Sequence, residues 1–283
     1  MSIYAFPSIP SNVNISLSMK KAVFSLFTLM LAVSVSFAGK DILELKGAKG
    51  PGYGKTIVLV SGDEEYRTEE SMPMLAKILS QKHGFHCKVL FAWDKEGKYI
   101  DPNNQAGVRG WEHLDSADLM LTGTRFRRPS AEDAKHITAF LDAGKPIIGI
   151  RTSTHAFTGG GSFGGKISYG SFGPLVMGDG WVSHHGGHKK QGARGVIEKT
   201  NAKHPILKGV KDVFGPSDVY GIRKVTPKRD TILLRGAVTE TLDPKSKNIE
   251  GSKNDPMQAL AWLHPYESSA GKKGTTFCTT MGA

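Results

Sequence analysis

Apolar and polar positions alternate in blocks along residues 55–150, and the block lengths predict strands and helices in turn. Residues 56–60 are apolar and mostly β-branched, the pattern of a strand covered on both faces. A polar loop, 61–67, follows. Met72, Leu75, Ala76 and Leu79 then recur at helical spacing, predicting a helix over 69–83 that Gly84 stops. Cys87, Val89 and Phe91 sit at period two and predict a strand over 86–91. After the Asp- and Asn-rich loop 94–108, residues 111–114 read as a helical turn and 118–122 as a third strand. Ser130 with Asp133 three residues on is a helix-capping pattern, and the helix it opens turns Ile137, Phe140 and Leu141 inward until Gly144 ends it.

The next strand, 147–150, organises the rest. It is a short apolar run that stops abruptly at Arg151-Thr152-Ser153-Thr154-His155, before the glycines 159–161. A buried strand ending in a sharp turn presents the turn residue at the carboxyl edge of the sheet, where open α/β folds hold their chemistry. A nucleophile elbow has Ser or Cys at that apex; this one has a guanidinium, which cannot attack a carbonyl. Beyond it, nine glycines between 159 and 180 predict a long loop without regular structure over that edge. Strands are then expected at 195–198, 219–225, 231–235, 259–262 and 275–280, with a turn at His204-Pro205. The whole pattern predicts an α/β fold, a doubly wound, mostly parallel sheet with added edge strands and long loops. No helix follows the last strand, so the domain at 55–283 is expected to continue past the end of this chain.

Composition changes this picture at the amino end. Met19-Lys20-Lys21, an apolar run over 22–37 and Ser36-Phe37-Ala38 form a basic, hydrophobic and small-x-small series. Residues 1–38 are therefore expected to be a secretory signal region, with Met19 the start, cleavage after Ala38 and export as the result. Residues 39–54 form a Gly- and Lys-rich lead. The run is short for a membrane anchor, so no stable span is expected after cleavage. Net charge is +11, and +9 once Lys20 and Lys21 leave, which lowers Lys plus Arg from 37 to 35 against 26 acidic residues. The basic residues are scattered, which argues against nucleic acid as a partner. Cys87 and Cys278 are the two cysteines; export permits a disulfide, and two buried free thiols fit equally well.

Candidate chemistry gathers at the predicted carboxyl edge. His155 is the expected acid/base group, with Asp63 and Glu64 from the first edge loop as carboxylate candidates. Arg151, Thr152, Ser153 and Arg125 are expected to bind substrate, the arginines through their planar donor forks. His184, His185 and His188 form the densest histidine cluster, a candidate divalent-metal site and otherwise hydrogen-bond partners for a ligand. No cofactor is expected otherwise, because no Gly-x-Gly-x-x-Gly follows the first strand. The absence of Cys or Gly-x-Ser-x-Gly at the elbow excludes glutaminase and esterase chemistry.

Six pieces taken together resemble the ThuA-like family, named for a trehalose-utilisation protein. They are Ile57 to Gly62, Gly149 to His155, Gly178 to His185, His204 to Gly209, Asp218 to Tyr220, and Phe277 to Gly282. Members of that family resemble class I glutamine amidotransferases in fold and lack the catalytic Cys. The resemblance implies an α/β domain of flavodoxin or amidotransferase type. It also implies carbohydrate metabolism: action on a glucoside or keto-sugar by acid/base chemistry, or carbohydrate binding without catalysis in the same cleft. It adds Asp218 and Tyr220 to the binding residues. Many relatives carry a histidine-containing elbow with another residue where Arg151 stands. The identity of the sugar and the oligomeric state stay open.

Overall fold

Alternation along a single strand separates the two faces of this protein. In β3, Thr56–Gly62, Ile57 and Leu59 join one apolar cluster while Val58 and Val60 join another. The first cluster takes Met72 and Ala76 from helix α1, Thr68–His83. The second takes Ala134, Ile137, Phe140 and Leu141 from α2, Ala131–Asp142. The two helices therefore cover opposite faces of the sheet. The computed structural model describes residues 41–282 and a short strand, β1, at Val35–Ser36. The expected signal region with its start at Met19 and cleavage after Ala38 otherwise lies outside the described residues.

Eleven strands form one mixed sheet in the order β1-β2-β4-β3-β5-β6-β13-β12-β11-β9-β10. Here β2 is Ile42–Leu45, β4 His86–Leu90, β5 Leu119–Thr124, β6 Ile147–Ile150 and β9 Ala193–Ile197. The remainder are β10 at Val213–Gly215, β11 at Thr231–Val238, β12 at Gln258–Glu267 and β13 at Lys273–Thr279. Pairing is parallel from β4 through β3, β5 and β6 to β13, and antiparallel elsewhere. The α/β class is as expected, but the helices are fewer than full double winding implies. Only two α-helices occur among the described residues; the β4–β5 crossover is covered instead by a 3-10 turn, Trp111–Ser116, with Trp111 and Leu114 buried. None is long and apolar enough to cross a membrane.

Local signals behave as their chemistry dictates. Ser130 and Asp133 form the complete capping box, and Gly84 and Gly144 take the left-handed conformation at their helix ends. Two expectations fail. The glycine-rich segment is not structureless: Ser162–Phe163 (β7) and Ile167–Ser168 (β8) pair as a hairpin, followed by short helical turns at Tyr169–Ser171 and Gly173–Met177. Phe157, Phe163, Tyr169 and Phe172 hold it down, with ring centroids 4.8–6.1 Å apart. Aromatic burial outweighs the glycines' conformational freedom there. Residues 219–225 also form no strand. The Asp179 carboxylate accepts the N–H groups of Arg223 and Lys224 at 2.6 and 2.8 Å and turns the chain away from any ladder.

Cys87 in β4 and Cys278 in β13 are buried and free. Four strand spacings separate them in the sheet. At about 4.8 Å each that is roughly 19 Å, far beyond the ~7 Å limit for a disulfide. Burial also pushes the Cys87 thiol up to about 12 and the Cys278 thiol higher. Both thiols should thus be silent toward an aromatic disulfide reagent in the native protein and both should react after denaturation without reductant. Fewer than two reactive thiols in the denatured chain would contradict this topology.

Candidate functional site

Strand β6 ends at Ile150 in extended conformation, and Arg151 follows at φ 45°, in the left-handed region. The elbow geometry expected from sequence is present, and Arg151 occupies its apex. The turn is held by its own hydroxyls: Ser153 Oγ donates to Thr122 O and Ile150 O at 2.7 and 2.8 Å. Thr152 Oγ1 donates to the Asp63 carboxylate. Gly149 lies beneath it, where a Cβ would come 2.5 Å from Met177 Sδ and 3.1 Å from Ser153 Cβ and would displace the Met177 side chain. Thr152 and Ser153, expected to meet substrate, are buried and engaged inside the turn.

Arg151 itself points into the protein. Its Nη1 donates to Asp218 O and Thr280 O at 2.7 and 3.0 Å, and Nη2 to Tyr66 OH and Asp218 Oδ1, both at 2.9 Å. The guanidinium lies 3.9 Å from the Tyr220 ring and 4.8 Å from that of Tyr66. Both partners of the Arg151–Asp218 pair are about 2% exposed or less. Arg151 is therefore an anchor for the edge loops, with Tyr220 as its stacking partner, and it also forms part of a cavity wall.

The carboxylates divide similarly. Asp63 is fully buried and accepts from the N–H groups of Glu65 and Tyr66 at 2.8 and 3.3 Å, which shapes the loop after β3. Burial raises its pKa against those hydrogen bonds. Glu64 bridges Arg125 and the buried Arg127, the latter at 2.8 Å. Neither is free to serve as a base, and Arg125 is held by Glu64 with its guanidinium 4.8 Å from the Phe126 ring. Glu65 is the carboxylate that the loop turns outward, a consequence of Asp63 capping the turn. Sequence placed it in the same edge loop as Asp63 and Glu64 without singling it out from them.

His155 packs against Phe126 at 5.0 Å, Trp181 at 5.8 Å and Tyr220 at 6.3 Å between ring centroids. Burial, with Arg125, Arg151 and His184 adding positive charge, lowers its pKa to about 3. So low a pKa keeps the ring neutral at physiological pH, so it meets a ligand as a hydrogen-bonding group and not as an imidazolium.

The histidine loop splits. His185 N and Gly186 N donate to Val219 O at 2.8 and 3.1 Å, and His184 bridges to Tyr220. This pairing lays the loop against Asp218. His184 Nδ1 lies 2.8 Å from Asp218 Oδ2 and His188 Nδ1 3.2 Å from Oδ1. His188 Nε2 is 3.4 Å from Glu65 Oε1. His185 turns away, its Nε2 on Lys253 O at 2.8 Å. The expected trio of histidines becomes two histidines and a carboxylate, with candidate ligand atoms all within 4.8 Å of one another. Burial alone would raise the pKa of Asp218; Arg151, His184 and His188 hold it below the usual range.

A cavity of about 260 Å³ opens beside this group, lined by Glu65, Tyr66, Arg67, His188, Ser217 and Asp218 among others. Five non-glycine residues have left-handed φ among those described, and three of them, Arg67, Arg151 and Lys189, line this cavity. Such strain, about 1–3 kcal/mol each, gathers where surrounding structure enforces a functional geometry. Trp181, 44% exposed, packs against His184 at 5.7 Å and His155 at 5.8 Å and is not one of the residues that line this cavity. Its position beside the histidines was the sequence signal that went unused.

No family model and no curated protein matches the chain. Among solved structures, it is similar to a protein of Bacteroides uniformis described as thua-like: 12% identity, TM-score 0.47, covering 83% of this chain and 84% of that one. A second, from Parabacteroides merdae and described in the same way, gives 12% identity and TM-score 0.49 over 80% of this chain and 78% of its own. An exo-β-1,4-mannosidase from an Opitutaceae bacterium gives 8% identity and TM-score 0.32, covering 80% of this chain and 31% of that protein. None carries a residue's role to this chain.

Replacing Arg151 by Ala leaves buried Asp218 with His184 and His188 as its remaining side-chain partners, so stability to denaturant should fall by about 3 kcal/mol, the low end for breaking a buried pair. A loss below ~1 kcal/mol would show that the anchor is dispensable. For His155 the sign is that of a depressed imidazole: its contribution is full above the unfolded pKa near 6.5 and is lost as pH falls toward about 3. Side-chain nitrogen NMR should find the His155 ring neutral down to pH ~5. A midpoint near ~6.5 would restore it as an acid/base candidate.

Proposed function

We propose that the protein binds and modifies a small carbohydrate, a glucoside or keto-sugar, in the cleft between Trp181 and the Asp218–His184–His188–Glu65 cluster. The observation that carries this reading is the convergence at one opening of three strained residues with Glu65, His188 and Asp218, while the exposed Trp181 packs against His184 of the same cluster. An exposed indole beside hydrogen-bonding groups suits a sugar ring, which has an apolar face and a polar rim. Neutral His155, behind Trp181, offers a hydrogen bond without a charge. Glu65 is the carboxylate facing the cavity and takes the acid/base role once expected of Asp63 and Glu64. The motif resemblance to ThuA-like proteins supports the substrate class, and the leader pattern supports action outside the cytoplasm.

A second reading, binding without catalysis, is favoured by one specific feature: the elbow apex holds an engaged guanidinium where a nucleophile would stand. A panel of disaccharides and 3-keto-glucosides separates the two. Trp181→Ala should weaken binding of the best sugar by roughly tenfold, as loss of a stacking contact of about 1.5 kcal/mol implies. Glu65→Gln should keep binding and lower turnover by about 10²-fold or more. Sugar bound with no product from the wild type would establish the second reading. No binding of any member would remove carbohydrate from consideration.

A further inference from the structure

We propose that His184, His188 and Asp218 form a binding site for a divalent transition-metal ion, open on one side to the cavity. The inference concerns the same cleft and the same cluster as the carbohydrate reading, and it rests on the donor set and spacing of that cluster, not on Trp181 or the strained backbone. In a tetrahedral site with bonds of about 2.0–2.2 Å, neighbouring ligand atoms lie roughly 3.3 Å apart. The two imidazole–carboxylate separations, 2.8 and 3.2 Å, are hydrogen-bond lengths that must open by a few tenths of an ångström to reach that spacing, the candidate ligand atoms all lie within 4.8 Å of one another, and the two rings are 4.1 Å apart with Nδ1 of each on the same carboxylate. Two imidazoles and one carboxylate are the donor set of zinc and neighbouring first-row ions at sites that keep an open position.

The supporting shell is in place. Arg151 Nη2 fixes Asp218 Oδ1 at 2.9 Å, and Nη1 holds the backbone oxygen of Asp218 at 2.7 Å. Second-shell donors of this kind orient a ligating carboxylate. The carboxylate lies between guanidinium and imidazoles, so the positive charge of Arg151 meets its own counterion before it meets the metal ion. The remaining direction faces the cavity, where the buried Ser217 hydroxyl has no hydrogen-bond partner. Glu65, 3.4 Å from His188 Nε2, is placed to accept a proton from a group bound at that open position. His185 is excluded, because its ring is held by Lys253 O and Lys253 Nζ binds the His185 carbonyl oxygen.

The test is calorimetric titration of untagged, chelator-treated full-length protein with zinc alone, backed by the visible spectrum of the cobalt-substituted form. One equivalent should bind, and cobalt should give the intense absorption of a tetrahedral site. His184→Ala and His188→Ala should each weaken zinc by well over ~100-fold, beyond the roughly 10–100-fold that loss of a second-shell group costs. His185→Ala should bind as the wild type does. His188→Gln, which keeps a polar side chain of similar reach, should lose zinc while its melting temperature without metal stays near that of the wild type. Absence of stoichiometric zinc, equal loss in the His185 variant, or retention in both His184 and His188 variants overturns the site. Trp181→Ala separates the two readings, since it should weaken sugar and leave zinc unchanged. Sugar binding without zinc sinks only the metal site, and zinc without sugar sinks only the carbohydrate reading.

Discussion

The buried pair between Arg151 and Asp218 is the interaction on which this end of the molecule depends. A guanidinium about 2% exposed is costly unless each donor finds an acceptor. Here four donor contacts from Nη1 and Nη2 reach three separate segments, Tyr66 after β3, Asp218 before the turn at Tyr220, and Thr280 after β13, while the buried Nε has no acceptor. Two tyrosine rings cover the flat faces. The pair's function is to collect loops that enter from distant points in the chain, and the left-handed backbone at Arg151 is sustained by those contacts.

From that pair, charge alternates outward toward solvent. Arg151 meets Asp218, Asp218 meets His184 and His188, and His188 approaches Glu65. Glu65 in turn faces Arg125, which is shared with Glu64, and Glu64 holds the buried Arg127. Each group is positioned by a neighbour of opposite sign, so the chain of contacts is ordered from its buried end. His155 stands apart from this series. It is surrounded by rings and by positive charge, and that environment, not its place in the sequence, sets its protonation.

The elbow shows one backbone device put to a different use. A strand that ends in a left-handed residue lifts that side chain to the sheet edge, and in hydrolases the lifted group attacks. In this chain the lifted group turns inward and ties the edge together. The polar groups that face the cavity come from loops after β3, before β9 and after β10, which the anchor holds in register.

Sequence by itself determined the central strands, both α-helices with their caps, and the elbow. Each follows from short-range rules: side-chain periodicity, a hydroxyl at an N-cap, a glycine where φ must be positive. It also named the correct edge, since carboxyl ends of parallel strands lie together once the order of elements is known. Only the tertiary structure decided which side chains at that edge are free. Asp63, Glu64 and Glu65 are consecutive, yet the first is buried as a turn acceptor, the second is clamped by two arginines, and the third reaches the cavity. His184, His185 and His188 part company because a backbone pairing with Val219 sends one ring toward Asp218 and another toward Lys253. Residues 219–225 have strand composition and form none, because Asp179 captures their N–H groups. In each case the deciding partner lies 30 or more residues away in the chain, or depends on such a contact, and local pattern holds no record of distance in space.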